Sequence, residues 1–327
     1  MDQKIKWGIV GPGRIATKFV GDLKLVHDAE ITAVASRSLE RAQNFASDHN
    51  IPNAFGDYDE LFDSDVVDVL YIATPHNFHK KLTIRAMEKG KHVLCEKPLG
   101  VNKKEVDQMV ETAKKHKVFM MEALWSRFNP SIQKVKKLID EGAIGDVGYL
   151  HADFAFFALD RDLDSRLLNP DLASGSLLDI GIYPIFLAYL ILGMPERIEA
   201  VSNFHDNGTE LQTSMIFHYP LAQAILYSGL KGNSKMEAEI SGTKGDIYIR
   251  PRWHEAKGFS LVKNNEVEEF DLLVQGTGYF YEILEVNKCL REGRIESTLW
   301  SHQNSLDLVE LLDKVRGKCG IRFPFEG

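Results

Sequence analysis

The chain has 327 residues, a net charge of −8 and no lysine- or arginine-rich block, which argues against nucleic acid and anionic membranes as partners. Hydrophobic residues make up 44% and charged residues 26%, an ordinary globular balance, and the length favours two domains over one core. No apolar run is expected to span a membrane, and MDQKIKWGIVG lacks a signal peptide's apolar segment. Cys95, Cys289 and Cys319 are odd in number and scattered, so neither a disulfide framework nor a metal site is expected, and a reducing cytoplasm is.

Strand and helix alternate through the first third. KIKWGIV reads as a strand, Arg14 to about Leu25 as a helix, and EITAVAS as a second strand. SLERAQNFASDHN is a helix with Ser38 as its N-cap. VVDVLYIAT is a nearly continuous apolar run, the pattern of a central parallel strand covered on both faces. FHKKLTIRAMEKG is a helix stopped by Gly90; KHVLCE, NKKEVDQMVETAKKHK and VFMMEAL continue as strand, helix and strand. This order implies a doubly wound parallel sheet, a Rossmann-type domain over residues 1–123. From residue 124 to 327 the pattern changes. After the helix PSIQKVKKLIDEG come GYLHADFAF, RIEAVSNF, TSMIFHY, AQAILYSGL and KMEAEISG, with SGTKGD as a turn. Their period-two alternation predicts a second α/β domain with a large, mostly antiparallel sheet, closed by helices near Tyr279–Arg291 and Gln303–Val315.

GIVGPGRIA follows the first strand and opens the first helix, so Gly11, Gly13 and Ala16 fit the dinucleotide fingerprint G-x-G-x-x-A. Gly11 allows the tight turn, Gly13 lets a pyrophosphate approach the backbone, and Arg14 and Ile15 begin the helix whose N-terminus receives the phosphate charge. The second strand ends in Ser36, Arg37 and Ser38, where an NAD-preferring chain carries an acid. Arginine and hydroxyls bind a 2′-phosphate, so NADP is favoured with NAD still open. Arg37 and Arg41 can equally face water.

Ligands of a doubly wound sheet bind outside the carboxyl ends of its strands. Those ends carry Thr74, Pro75, His76 and His79; then Glu96, Lys97 and Pro98; then Glu122, Trp125 and Arg127. An ammonium at Lys97 stabilises oxyanion character on a substrate oxygen as hydride moves, and Glu96 can orient it or touch the cofactor ribose. The plainer alternatives are a solvated Glu96–Lys97 pair, a helix-start role for His76 and His79, and a core role for Trp125. Phe154, Phe156 and Phe157 can wall a pocket or simply cover a sheet face.

GIVGPGRIA, CEKPLG, MEALWSRFNP, GSLLDIGIYP and ISGTKGDIYI together resemble the Gfo/Idh/MocA oxidoreductases, along nearly the whole chain. EALWSRF and LLDIGIYP are most similar to the branch holding dimeric dihydrodiol dehydrogenase and NADP-dependent D-xylose dehydrogenase. The resemblance implies a Rossmann domain followed by an open-sheet domain that forms the oligomer interface, here a homodimer. It maps the family's Glu-Lys-Pro motif onto Glu96, Lys97 and Pro98, with the lysine beside the nicotinamide. It maps the second-domain motif onto Asp179 and Tyr183, where many members carry histidine in place of the tyrosine. Tyr183 is then the proton-transfer group and Asp179 its companion, four residues apart, although Pro184 suits a first helical turn and suggests that the pair straddles a helix start. The implied activity is hydride transfer between nicotinamide and a secondary alcohol or hemiacetal carbon of a sugar, polyol or cyclic diol. Two alternatives stand beside it: a non-enzymatic NADP(H) sensor, and NAD-dependent glycoside cleavage on the same fold.

Overall fold

The computed structural model describes residues 4–326. It divides into two compact units: residues up to Trp125 together with Gln275–Leu306, and Ser126–Val274 together with the residues from Asp307 onward. The sequence pattern assigned everything after residue 123 to the second domain, whereas residues 275–306 belong to the first unit.

The first unit is built on a six-stranded parallel sheet. Its strands are β1 (Ile5–Val10), β2 (Ala29–Ala35), β3 (Asn53–Phe55), β4 (Val69–Ile72), β5 (His92–Glu96) and β6 (Met120–Ala123), in the order β3-β2-β1-β4-β5-β6. The connecting helices are α1 (Arg14–Leu23), α2 (Leu39–His49), α3 (Tyr58–Phe62), α4 (His79–Glu88) and α5 (Lys103–His116). All four residues of β4 are buried, as its unbroken apolar run requires. Chain order reverses between β1 and β4, and this is the switch point where such sheets open a crevice for ligand. The late segment joins this unit through α8 (Phe280–Arg291). Its Asn287 accepts a hydrogen bond from the Trp7 indole at 3.1 Å and donates to Asp28 at 2.9 Å. These partners lie at the far end of the sequence from β1, so no local pattern announces the return.

The second unit contains α6 (Pro130–Asp140) and an eight-stranded sheet. Its strands are β7 (Val147–Ala155), β8 (Arg197–Phe204), β9 (Glu210–His218), β10 (Gln223–Gly229), β11 (Ala238–Gly242), β12 (Gly245–Ile249), β13 (Gly258–Lys263) and β14 (Glu266–Asp271). The order is β14-β13-β12-β11-β7-β10-β9-β8, antiparallel except for the β7–β10 pair. The β13–β14 hairpin turns on Asn264 and Asn265, both at positive φ, the conformation a tight primed turn demands. One face of the sheet buries Leu150, Ala152, Phe217, Leu226, Ile240 and Ile247.

By length and apolar composition alone the helical stretch Pro170–Leu192 could cross a membrane. Most of it is buried within the protein. It includes a wide π turn, Leu177–Gly181, followed by α7 (Ile182–Leu192), whose sequence is apolar on every side. A helix of that character belongs in a core. A Cβ at Gly181 would lie 2.8 Å from Ser228 Oγ, so glycine lets the turn press close to β10.

Candidate active site

In the first unit, the glycine loop connects β1 to α1. Gly11 has φ +92°, a left-handed conformation that favours glycine, and Gly13 has open space where a Cβ would stand. No side chain caps α1 and no acid sits in its first turn, so its N-terminal N–H groups remain suited to an anion. Arg14 is exposed and Ile15 half-buried. At the end of β2, Ser36 is buried and its hydroxyl accepts from Ser38 N at 3.3 Å; Ser38 in turn caps α2 by accepting from Arg41 N. Arg37 is exposed, with its guanidinium 5.5 Å from the centre of the Phe78 ring. Arg41 donates to the Pro12 carbonyl at 3.4 Å, which ties the second cation to the glycine loop itself. Across the switch point, Thr74 Oγ1 is enclosed without a hydrogen-bond partner, beside Gly11. An uncapped helix start, an open glycine, an orphaned hydroxyl and two arginines form a donor set that fits a phosphorylated dinucleotide.

At the end of β5, Glu96 is buried and accepts the Tyr71 hydroxyl and the Lys97 N–H, the latter at 3.2 Å. Tyr71 is stacked on Phe19, ring centres 3.6 Å apart. Its anchoring thus turns Glu96 inward, while Lys97 stays half-buried at the strand end and the Lys97–Pro98 peptide is cis. His76 is nearly buried in the short turn after Pro75.

His79 corrects the expectation that it contacts cofactor. It is fully buried, with Nδ1 2.8 Å from the Pro98 carbonyl oxygen and Nε2 2.9 Å from that of Thr74. Both ring nitrogens are occupied by backbone, so the side chain braces two strand-end turns instead of reaching a ligand. Burial lowers its pKa, the two carbonyls oppose that, and the Lys97 charge adds to it. Trp125 is buried and stacked on Tyr279, ring centres 5.0 Å apart, whereas Arg127 falls in the second unit.

The second unit brings Asp179 and Tyr183 together on consecutive turns. Asp179 lies in the π turn and Tyr183 is the second residue of α7, so Pro184 sits in a first α-helical turn, where its missing N–H does least harm. The wide i→i+5 turn leaves residues four apart on nearly one face. Glu210, buried in β9, holds the start of this turn by accepting Leu177 N at 2.8 Å and the Ser176 hydroxyl at 2.7 Å. Asp179 is buried and accepts from Arg166 Nη1 at 2.5 Å. The Tyr183 ring lies 5.5 Å from Phe154 and 5.4 Å from His254, which stack on each other at 4.1 Å. Of the three phenylalanines flagged in the sequence, Phe154 joins this cluster, Phe156 lies 6.3 Å from it, and Phe157 is exposed. Arg166 and His254 escaped the sequence reading, and no local spacing marks either one.

Residues 5–124 match the profile of an oxidoreductase family with an NAD-binding Rossmann fold, and residues 132–248 match the Gfo/Idh/MocA C-terminal domain. The chain belongs to the Gfo/Idh/MocA oxidoreductase family. Among curated relatives, the trans-1,2-dihydrobenzene-1,2-diol dehydrogenase of Mus musculus is 38% identical, covering 98% of each chain. That of Xenopus tropicalis is 34% identical over 98% of this chain and 99% of its own. A 3-ketoreductase from Actinomadura kijaniata, solved with NADP and TDP-benzene, superposes with a TM-score of 0.87 at 26% identity, covering 97% of this chain and 98% of that one. The aldose-aldose oxidoreductase of Caulobacter crescentus, at 24% identity and a TM-score of 0.88 over 97% and 98% of the two chains, shares the fold. Both Gfo/Idh/MocA domain types are therefore present: a parallel Rossmann sheet, and a separate sheet that is mostly antiparallel.

Proposed function

We propose that the protein is an NADP-dependent dehydrogenase/reductase acting on the CH–OH group of a small cyclic diol, sugar or polyol. The observation that carries this reading is Lys97: a half-buried lysine at the end of β5, on a turn fixed by surrounding buried groups, in a unit whose strand ends form a dinucleotide donor set. The full-length relatives named as diol dehydrogenases supply the substrate class.

When bound, NADP supplies the hydride-accepting or hydride-donating nicotinamide carbon. The protein does the rest. The glycine loop and α1 N-terminus hold the pyrophosphate, Thr74, Pro75 and His76 line the approach beyond it, and Arg37 with Ser36 and Arg41 selects the 2′-phosphate. The Lys97 ammonium stabilises negative charge on the reacting substrate oxygen. In the second unit, the Tyr183 hydroxyl takes the proton-transfer role, and Asp179, held by Arg166, positions the tyrosine. Glu96 acts from beneath as an anchor of the Lys97 turn.

A sensor of NADP(H) requires only the first unit's donor set. The buried Asp179, paired with a half-exposed Arg166 one turn before Tyr183, exceeds that requirement, which favours the enzyme. NAD-dependent glycoside cleavage has no separate support here. The test is direct: mix the protein with NADP and a panel of trans-dihydrodiols, D-xylose and other aldoses, and follow absorbance of the reduced cofactor. Reduction with at least one panel member is the expected result. Tight NADP binding with no reduction across the panel would favour the sensor.

The active form in this reading is a cytoplasmic homodimer joined through the open face of the large sheet. That face exposes Val201, Ile216, Ile225 and Tyr248, with Ile216 and Ile225 directly paired across β9 and β10. An apolar sheet face of this kind gains by pairing with a copy of itself. The three free cysteines are consistent with a reducing compartment.

A further inference from the structure

Glu122 is the penultimate residue of β6, one strand beyond Lys97, and is almost fully buried. Its Oε1 accepts the Leu99 N–H at 2.9 Å, two residues past Lys97. Its Oε2 accepts the Ser305 hydroxyl at 2.8 Å and the Trp300 indole N–H at 3.1 Å. The indole N–H is also 3.0 Å from Ser305 Oγ, so the two holders are themselves linked. Three donors converge on one carboxyl group, and two of them, the Leu99 amide and the Trp300 indole, can only donate. Burial raises the Glu122 pKa; Ser305, Leu99, Trp300 and the Lys97 charge pull against that.

We infer that Glu122 is a positioning residue for Lys97, and that Trp300 and Ser305, arriving from the end of the chain, set the position of Glu122. The inference rests on the assignment of Lys97 to the reaction. Where His79 holds the Pro98 carbonyl, Glu122 holds the Leu99 N–H, so the turn that carries the lysine is gripped on its carbonyl and on its amide. An active-site group must be held to a fraction of an ångström, and a displacement on the order of 1 Å costs about 100-fold in rate.

The experiment is a double-mutant cycle against Lys97→Ala, using the whole protein with NADP and an accepted diol or sugar. Glu122→Gln turns an amide donor toward at least one of the three donors and is expected to lower kcat between about 10- and 100-fold, with NADP affinity changed less than a few-fold. Ser305→Ala removes one holder, leaves Leu99 bound, and is expected to lower kcat a few-fold; it carries the test should Glu122→Gln fail to fold. In the Lys97→Ala background, both substitutions should leave the residual rate unchanged, while each still lowers the melting temperature as it does in the parent. Equal fold-losses of rate in both backgrounds mean a merely structural role and overturn the inference, as does parental kcat in both single variants. Parental turnover of Lys97→Ala alone overturns the assignment of the lysine, and the positioning role with it.

Discussion

Arg166 sets a guanidinium nitrogen 2.5 Å from the carboxylate of Asp179, which keeps only 6% of its side-chain surface accessible. Removing the arginine leaves a buried charge without its counter-charge. Because the arginine side chain is half exposed, the loss is discounted to about 1–2 kcal/mol. Arg166→Ala should therefore lower the melting temperature and reduce turnover by about tenfold or more. Asp179→Asn added to that variant should restore the melting temperature, since no buried charge remains, without restoring turnover. A double variant as unstable as the single one would show that the ion pair is not what holds the turn.

Lys97→Ala and Tyr183→Phe should each lower kcat by about 10² or more, with NADP affinity within a few-fold of the parent by fluorescence titration. The tyrosine substitution keeps the ring against Phe154 and His254, so packing is conserved and only the hydroxyl is lost. Parental kcat in either variant removes that residue from the mechanism.

Arg37→Ala should weaken NADP far more than NAD. The exposed guanidinium stands beside the Phe78 ring, at the strand end where an acid selects against the 2′-phosphate in NAD-preferring chains. A charge-assisted pair lost from a solvated site is worth about 1.5–3 kcal/mol, so the NADP dissociation constant should rise by about 10- to 100-fold. An equal rise for both cofactors would mean that Arg37 supports the loop and does not read the phosphate.

The parallel sheet and its ligand-binding end were legible because each element announces itself locally: an apolar run for β4, a glycine loop after β1, and a cap at Ser38. The Glu96–Lys97–Pro98 turn could be set at a strand end from the alternation of elements, whereas the Asp179/Tyr183 pair came from family resemblance alone, and the spacing of either allows solvated or structural roles. What stayed hidden is what long-range packing decides. Glu122 meets Trp300 and Ser305 across 178 and 183 residues, and Arg166 meets Asp179 across an irregular loop. Both His79 nitrogens are taken by carbonyls, one of them 19 residues on, so a residue type associated with catalysis serves as a brace. The β13–β14 hairpin was readable in principle, because paired asparagines between alternating segments mark a primed turn.

Ile216 and Ile225 face each other on the open side of the large sheet, 39% and 43% exposed in the single chain. Replacing Ile225 with Glu puts a charge in the middle of the proposed dimer interface, where an unpaired charge costs several kcal/mol. Sedimentation should report a two-chain mass for the parent and a one-chain mass for Ile225→Glu, with the fold retained by circular dichroism. A single-chain mass for the parent would dismiss this interface.

Glu282, on α8, is fully buried with neither carboxylate oxygen hydrogen-bonded. Burial, then the charges of Glu96 and Asp22, raises its pKa well above the usual carboxylic range. The folded protein thus keeps a proton that the unfolded chain releases above about pH 4.3. With more protons bound in the folded state, stability falls as pH rises. The contribution is fully present below the unfolded pKa and is lost progressively toward the raised folded value, by up to about 1.4 kcal/mol per pH unit. Glu282→Gln removes this dependence. Its urea midpoint should therefore fall less than the parent's between pH 5 and pH 8, whatever its absolute stability, since the amide enters the same unpartnered site. Parallel pH profiles for the two proteins would mean that Glu282 ionises normally and that the site is solvated.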